Sequence, residues 1–579
     1  MNSNKAVVRL APARARWAVS LLALLAVGAV SAAATFAQGV PQYQQAPEAV
    51  RKVLDAPETP LLVVSPNNDL ALLVNYERYA RIADLAQPML RLAGVRINPA
   101  SNGPHNPRRY TAITIKHLAD ASAEKDIPVT TPPDALLGLP SWSPDGRRFV
   151  FTVTTANGIQ LWTGDPATGA ARQVAGVSLN AAYGPPFTWL GPQTLLCRTV
   201  PAGRGAPPQP PLVPPGPHIE ESSGRPAPVR TYQDLLQSPH DAALFDYYAT
   251  SQLAVVDLST RRPTPLGKPA VFGSVQPAPD GQHVLVERIV RPYSYLVPGS
   301  DFPREVEVWD RTGKMVYKVA SLPLAENVPI GGVLTGPRGY HWQPAEPATL
   351  VWVEALDGGN PRTRVALRDK ILRLKAPFTG QPELFTQLEH RYRGIAWGER
   401  GDLAILREFI RERNWQRTWF LDPRDPANTR KLVWDLSVNE RYNDPGLPET
   451  KTLRNGRVAI AQHGDHIFLS GRGATAEGDR PFLDKFNLKT QQAERLFRSD
   501  DKSYEEFLDL LADDGSRFLT SYESPTSPAN YVVRTAGSGA RQFVTRFTDP
   551  TSQLRGIKKE LVKYKRADGV DLSFTLYLP

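Results

Sequence analysis

The chain has 579 residues, of which 41% are apolar, 22% charged and 9% aromatic, with 55 Pro and a single Cys. This composition excludes global disorder, a disulfide-stapled scaffold and a Cys-rich zinc or iron–sulfur site. Pro at about twice its usual ~5% share argues against long helical bundles. The formal net charge is +10.

The first 37 residues carry Lys5, Arg9, Arg14 and Arg16 and no acid. An uncharged run from Trp17 to Ala37 follows, with Leu21-Leu22-Ala23-Leu24-Leu25 at its heart and Thr35-Phe36-Ala37 at its end. A basic start, an apolar stretch and a small-residue end predict a secretory signal over 1–37, the alternative being an uncleaved membrane anchor. Removing those four cations leaves +6, too diffuse for a nucleic-acid footprint. The expected destination is the periplasm or the extracellular space, with no membrane contact once the signal is cleaved.

After a lead-in over 38–55, a turn followed by a strand recurs along the chain. Ser143-Pro144-Asp145-Gly146 precedes Phe149-Val150-Phe151, Pro279-Asp280-Gly281 precedes Val284-Leu285-Val286, and Asp513-Asp514-Gly515 precedes Phe518-Leu519. In these turns Pro presets φ, Asp bonds the local backbone and Gly takes the positive φ. A second strand–turn–strand pattern follows, as in Val306-Glu307-Val308-Trp309, Asp310-Arg311-Thr312-Gly313, Met315-Val316-Tyr317. Short antiparallel strands recurring at about 50 residues predict an all-β fold, a seven- or eight-bladed β-propeller over 56–553. Blade starts are expected near Ser65, Ser143, Trp189, Pro279, Trp342, Trp397, Asn455 and Asp513.

Two segments break the repeat. One runs from Tyr79 to Tyr110. The other is Pro-rich from Pro201 to Pro228 and leads into a predicted short helix capped by Thr231. Past the repeat, Lys558–Arg566 and Val570–Leu578 alternate around Ala567-Asp568-Gly569, which predicts a hairpin outside the blade series.

There is no Gly-x-Ser-x-Gly, no phosphate loop and no His-Glu-x-x-His, and nothing calls for a cofactor. His463-Gly464-Asp465-His466 is read as exposed hairpin polarity and not as a metal site. Cys197, in an apolar strand, is read as buried and structural.

Propeller blades followed by an Asp-Gly hairpin ending in Leu576-Tyr577-Leu578-Pro579 resemble the prolyl oligopeptidase family of serine peptidases. Leu92-Ala93-Gly94-Val95-Arg96-Ile97-Asn98, Asn102-Gly103-Pro104, Arg230-Thr231-Tyr232-Gln233-Asp234-Leu235-Leu236 and Leu244-Phe245-Asp246-Tyr247-Tyr248 resemble its glutamyl endopeptidase branch. The resemblance implies that 554–579 opens an α/β-hydrolase domain carrying the Ser, Asp and His, none of which can be assigned here. It also implies peptide substrates cleaved after Glu and a propeller that gates access. Since a Ser needs a base and an oxyanion hole, this polypeptide is expected to hydrolyse nothing by itself. Arg96 and Arg109 are the candidate partners of a substrate carboxylate. The alternative reading is a stand-alone exported propeller that binds peptides or proteins.

Overall fold

In the second blade, Ser141–Trp142, Phe149–Thr155, Gly158–Gly164 and Ala171–Leu179 pair antiparallel in chain order. The turn at Ser143–Gly146 is built as its residues dictate. Gly146 has φ +67°, its N–H donates to the Ser143 carbonyl, and the Asp145 carboxylate accepts from Ser143 Oγ and Arg147 N. The computed structural model describes residues 46–118, 126–213 and 230–578. The predicted signal over 1–37 lies outside them, as do part of the lead-in and most of the Pro-rich excursion.

Two compact units divide the chain at Ala56/Pro57. The described part of the first contains the helix Glu48–Leu54, with a Lys52–Glu48 ion pair. The second unit holds the strands. Among the described residues they form consecutive antiparallel groups over 61–128, 141–179, 187–266, 271–322, 338–388, 391–437, 447–498 and 504–543. We refer to these as the first to eighth blades. The long strand Pro263–Pro277 serves the third blade with its first half and the fourth with its second.

Alternation along the second strand of each blade explains the packing. Successive side chains point to opposite faces of a sheet, and here both faces are covered. Leu72 and Val74 pack with Phe149 and Phe151 of the second blade, while Ala71 and Leu73 pack with Leu519, Tyr531 and Val533 of the eighth. Leu350 and Trp352 face the fourth blade, and Val351 and Val353 the sixth. The same relation links every pair of neighbours, and the contact of eighth with first closes a ring. Tyr531 Oη donates to the Pro60 carbonyl across that joint (2.7 Å).

Inner-strand tryptophans tie neighbours further. Nε1 of Trp142 donates to the Val63 carbonyl (2.9 Å), Trp189 to Ser141 Oγ (3.0 Å) and Trp342 to the Gln276 carbonyl (2.9 Å). In each case a blade's innermost strand grips that of the blade before it. Cys197 is fully buried between the second and third blades, and burial pushes its thiol up.

Two expectations are corrected. The segment from Thr231 is not helical, because Asp234 takes a left-handed φ of +58°. The helix is Pro239–Ala249, with Ser238 Oγ accepting from Asp241 N (3.1 Å) and Pro239 in its first turn. Asn455 does not start a blade. The seventh blade's innermost strand runs through Leu447–Pro448 and Gln462–His463, and Asn455 tips a hairpin inserted between them.

Among the described residues no helix is long and apolar enough to cross a membrane. The ring joint gives the first prediction. Leu519→Ala should lower the unfolding free energy by about 2–5 kcal/mol in urea, because Leu519 is 0% exposed at the joint. A loss below about 1 kcal/mol would mean that the joint is not tightly packed.

Candidate functional site: the channel and the two faces of the ring

In every blade the first turn, between innermost and second strands, lies at one end of the ring. The loops after the second strand and the links between blades lie at the other. The antiparallel order requires this. The two ends are called the turn face and the loop face.

The inserted hairpin Thr450–Thr452/Val458–Ile460 reaches across the turn face. At its tip, Gly456 with φ +77° donates to the Leu453 carbonyl, the turn chemistry of an Asn-Gly pair. Arg457 Nη2 donates to the Trp189 carbonyl in the third blade (2.9 Å), and Asn455 Nδ2 to the Pro344 carbonyl in the fifth (2.9 Å). A Cβ on Gly456 would lie 3.0 Å from Pro144 Cγ of the second blade. Lys451 pairs with Glu399 of the sixth blade (3.3 Å) and Asp513 of the eighth (2.8 Å). A segment touching the second, third, fifth, sixth and eighth blades from a base in the seventh must lie over the channel. A cavity of about 610 Å³ lies between it and the inner strands of the first, second and eighth blades.

Two carboxyls stand at the hairpin's base. Burial pushes Glu449 up to about 7, with a further push from Asp509, and burial pushes Asp509 up to about 6.

The loop face carries the segments outside the repeat. Leu90–Leu92 and Val95–Asn98 form a hairpin whose turn residue Gly94 would bring a Cβ to 2.7 Å from Pro298 Cβ. Leu92, Ile97, Phe245, Tyr248, Val297 and Phe302 make a separate core there. Arg204 lies 4.1 Å from the Tyr247 ring centroid and donates to Asn102 Oδ1 (2.6 Å).

Arg96 and Arg109 both belong to this insertion but sit in different clusters. Arg96 Nε donates to Asp234 Oδ2 (2.7 Å), and Arg91 stands 3.5 Å from the same carboxylate. Arg109 is 15% exposed, with Glu77 at 3.3 Å and Asp84 at 3.7 Å. Burial alone would raise Glu77, but Arg81 and Arg109 hold it below the usual carboxylate range. An incoming carboxylate would compete with these acids.

At His463–His466 the chain makes a tight hairpin, and His466 Nε2 is hydrogen-bonded to Asn487 Nδ2 (3.1 Å). Among the described residues no three His, Cys, Asp or Glu side chains gather as metal ligands would. The channel hairpin and Arg204 escaped sequence reasoning. The bend at Asn455-Gly456 was visible, but its insertion within a strand was not.

The hairpin gives two predictions. Arg457→Ala removes the donor to Trp189 and should speed amide exchange across Thr450–Ile460 about fivefold, the equivalent of ~1 kcal/mol. Unchanged exchange would show that this contact does not hold the hairpin. Glu449 and Asp509 have folded-state values above their unfolded ones. Their contribution is therefore fully present below about pH 4 and lost as pH rises through 6 to 7. The stability of Glu449→Gln relative to the parent chain should rise between pH 5 and pH 8, read as the difference in melting temperature. A pH-independent difference would contradict the assignment.

No family model matches the chain. It is 37% identical over 567 residues to a "Probable glutamyl endopeptidase, chloroplastic" of Oryza sativa subsp. japonica, the match covering 93% of this chain and 60% of that protein. The protein of the same description in Arabidopsis thaliana is 36% identical over 567 residues, covering 93% of this chain and 59% of its own. The chain thus spans about 60% of the length of these curated relatives. Among solved structures it is similar to an acylaminoacyl peptidase of Pyrococcus horikoshii at 14% identity and TM-score 0.38, covering 93% of this chain and 60% of that one. At this identity over nearly its whole length, the chain is a homologue of the glutamyl endopeptidases, matching part of each and not the whole.

Proposed function

We propose that the chain is the propeller portion of an exported serine peptidase of the prolyl oligopeptidase family, one that in its complete form cleaves peptides after Glu. The observation that carries this reading is the 37% identity to a glutamyl endopeptidase across 93% of the chain. The terminal hairpin supports it. Lys558–Lys565 and Asp571–Leu578 pair only with each other among the described residues. They leave Phe574 47%, Tyr577 60% and Leu578 41% exposed. A lone two-stranded hairpin is marginal in water and its free edges invite further strands. An α/β-hydrolase domain built onto this hairpin would bring the Ser, Asp and His, and the propeller would restrict access to short or unfolded peptides. The hairpin over the turn face favours access from the loop face. Arg96 and Arg109 remain our proposed contacts for the substrate carboxylate, each exchanging an internal acid for it.

The purified 579-residue chain should release no chromophore from a Glu-containing peptide substrate, whereas a chimera continuing into the hydrolase segment of a plant relative should. Turnover by the chain alone, abolished by a serine-directed reagent, would overturn the first expectation. A folded chimera that cleaves no peptide would overturn the second.

A further inference from the structure

The sixth blade turns one face toward the seventh. On that face Ile405 and Phe420 join Ile467, Leu469 and Phe486 in a shared apolar core. Further along it toward the loop face, the register places Arg407 opposite Thr418 and Thr418 opposite Trp434. Gln416 stands one step further along the same face, two residues before Thr418. Between these residues and the link 437–448 lies a cavity of about 280 Å³, near the lower end of small-molecule sites (~300–1,000 Å³).

The cavity is lined by polar side chains that the protein itself leaves unengaged. Among the described residues the side chains of Arg407, Gln416 and Thr418 have no hydrogen-bond or ion-pair partner, although Thr418 is only 4% exposed. Arg407 and Gln416 are half-buried, so their polar atoms meet the cavity and stand free for a ligand. Arg393 lines the same cavity, stacks over Phe409 at 4.6 Å and likewise pairs with no acid. Burial, reinforced by the charge of Arg393, lowers Arg407 from its ordinary value, yet an arginine stays charged at neutral pH. Two acids line the link side but are engaged in their own turn. Glu440 accepts from Tyr442 N and Asn443 N (2.9 and 3.0 Å), and Asp444 from Gly446 N (3.0 Å).

We propose that the cavity between the sixth and seventh blades binds a carboxylate carried on a short aliphatic body, held by Arg407 with Gln416 and Thr418. A planar guanidinium matches a carboxylate two-pronged. The neutral donors satisfy the remaining oxygen lone pairs, and Leu436, Val438 and Leu447 form an apolar wall for the body. A single carboxylate suits the site better than phosphate, whose second charge would face Glu440 and Asp444. The carboxylate could come from an acidic side chain or from a peptide's C-terminus. This site is independent of the peptidase reading, because it needs only the residues of this chain.

The test is calorimetric titration of the full chain with N-acetylglutamate α-amide, which offers only a side-chain carboxylate, and with N-acetylalanine, which offers only a terminal one. N-acetylglutamine α-amide and inorganic phosphate are the controls. At least one carboxylate should bind, the preferred one naming the source, and Arg407→Met should weaken it about tenfold or more. Arg407→Lys, which keeps the charge without the fork, should fall between, and Arg262→Met, at an exposed position that lines neither site, should bind as the parent does. Should Arg407→Met fail to fold, Arg407→Lys and Thr418→Val carry the same comparison. Equal binding of the glutamine amide, tighter binding of phosphate, no binding of either carboxylate, or affinity unchanged in the Arg407 and Thr418 variants would each overturn the proposal.

Discussion

The structure depends on a joint that no strand crosses. Each blade is assembled from strands consecutive in sequence, so no strand pairing joins the first blade to the eighth, and side-chain packing with the Tyr531–Pro60 hydrogen bond holds them together. Ala71, Leu73 and Leu118 lie on one side, with Leu519, Tyr531 and Val533 on the other. Because the joint uses the same alternation as every other interface, closing the ring requires no special device. It does require that every second strand be apolar on both faces. That is why Leu350, Val351 and Val353 are each 0% exposed within one blade, and Trp352 only 2%. Such near-continuous apolar runs are what two-sided burial demands.

Closure also fixes polarity. With all blades running the same way, short Asp-Gly turns collect at one end and long connections at the other. The loop face can therefore accept the Leu90–Asn98 hairpin, the Pro239–Ala249 helix and their separate aromatic core without disturbing the blades. Phe245 meets Tyr183, Tyr293 and Phe302 edge-on at 5.3, 5.3 and 6.0 Å, a geometry aromatic pairs favour. Among the described residues the turn face accepts one insertion, and because that insertion interrupts an innermost strand it is aimed at the axis.

The blades were legible because their signals are local. Asp145-Gly146 and Asp280-Gly281 state a turn within a few residues, and an apolar run after each states a strand. The hairpin at Asn455-Gly456 uses the same turn chemistry, so sequence alone could not separate an insertion from a blade start. The helix was displaced from Thr231 to Ser238 because both offer a hydroxyl cap, and the deciding feature is Asp234. Its left-handed backbone and its pairing with Arg96 join residues 138 positions apart. The candidate arginines were legible as cations in a segment outside the repeat, but their acids were not. Asp234 is far from Arg96 in sequence, and nothing in the order of residues marks Glu77 as the partner of Arg109.

What separates one arginine from another here is whether its hydrogen bonds are already used. Asp369 is 0% exposed and takes Arg338 and Arg391 at 2.7 Å each, with Tyr392 N on its other oxygen at 2.6 Å. Glu505 at 1% takes Arg534 through both its oxygens. Those pairs lock blades internally or to a neighbour, and removing one member would leave a buried charge uncompensated. Arg407 is half-buried and lacks such a partner, in a cleft where its neighbours Gln416 and Thr418 are also unengaged. An open cavity in front of it is the arrangement expected where the partner arrives from outside.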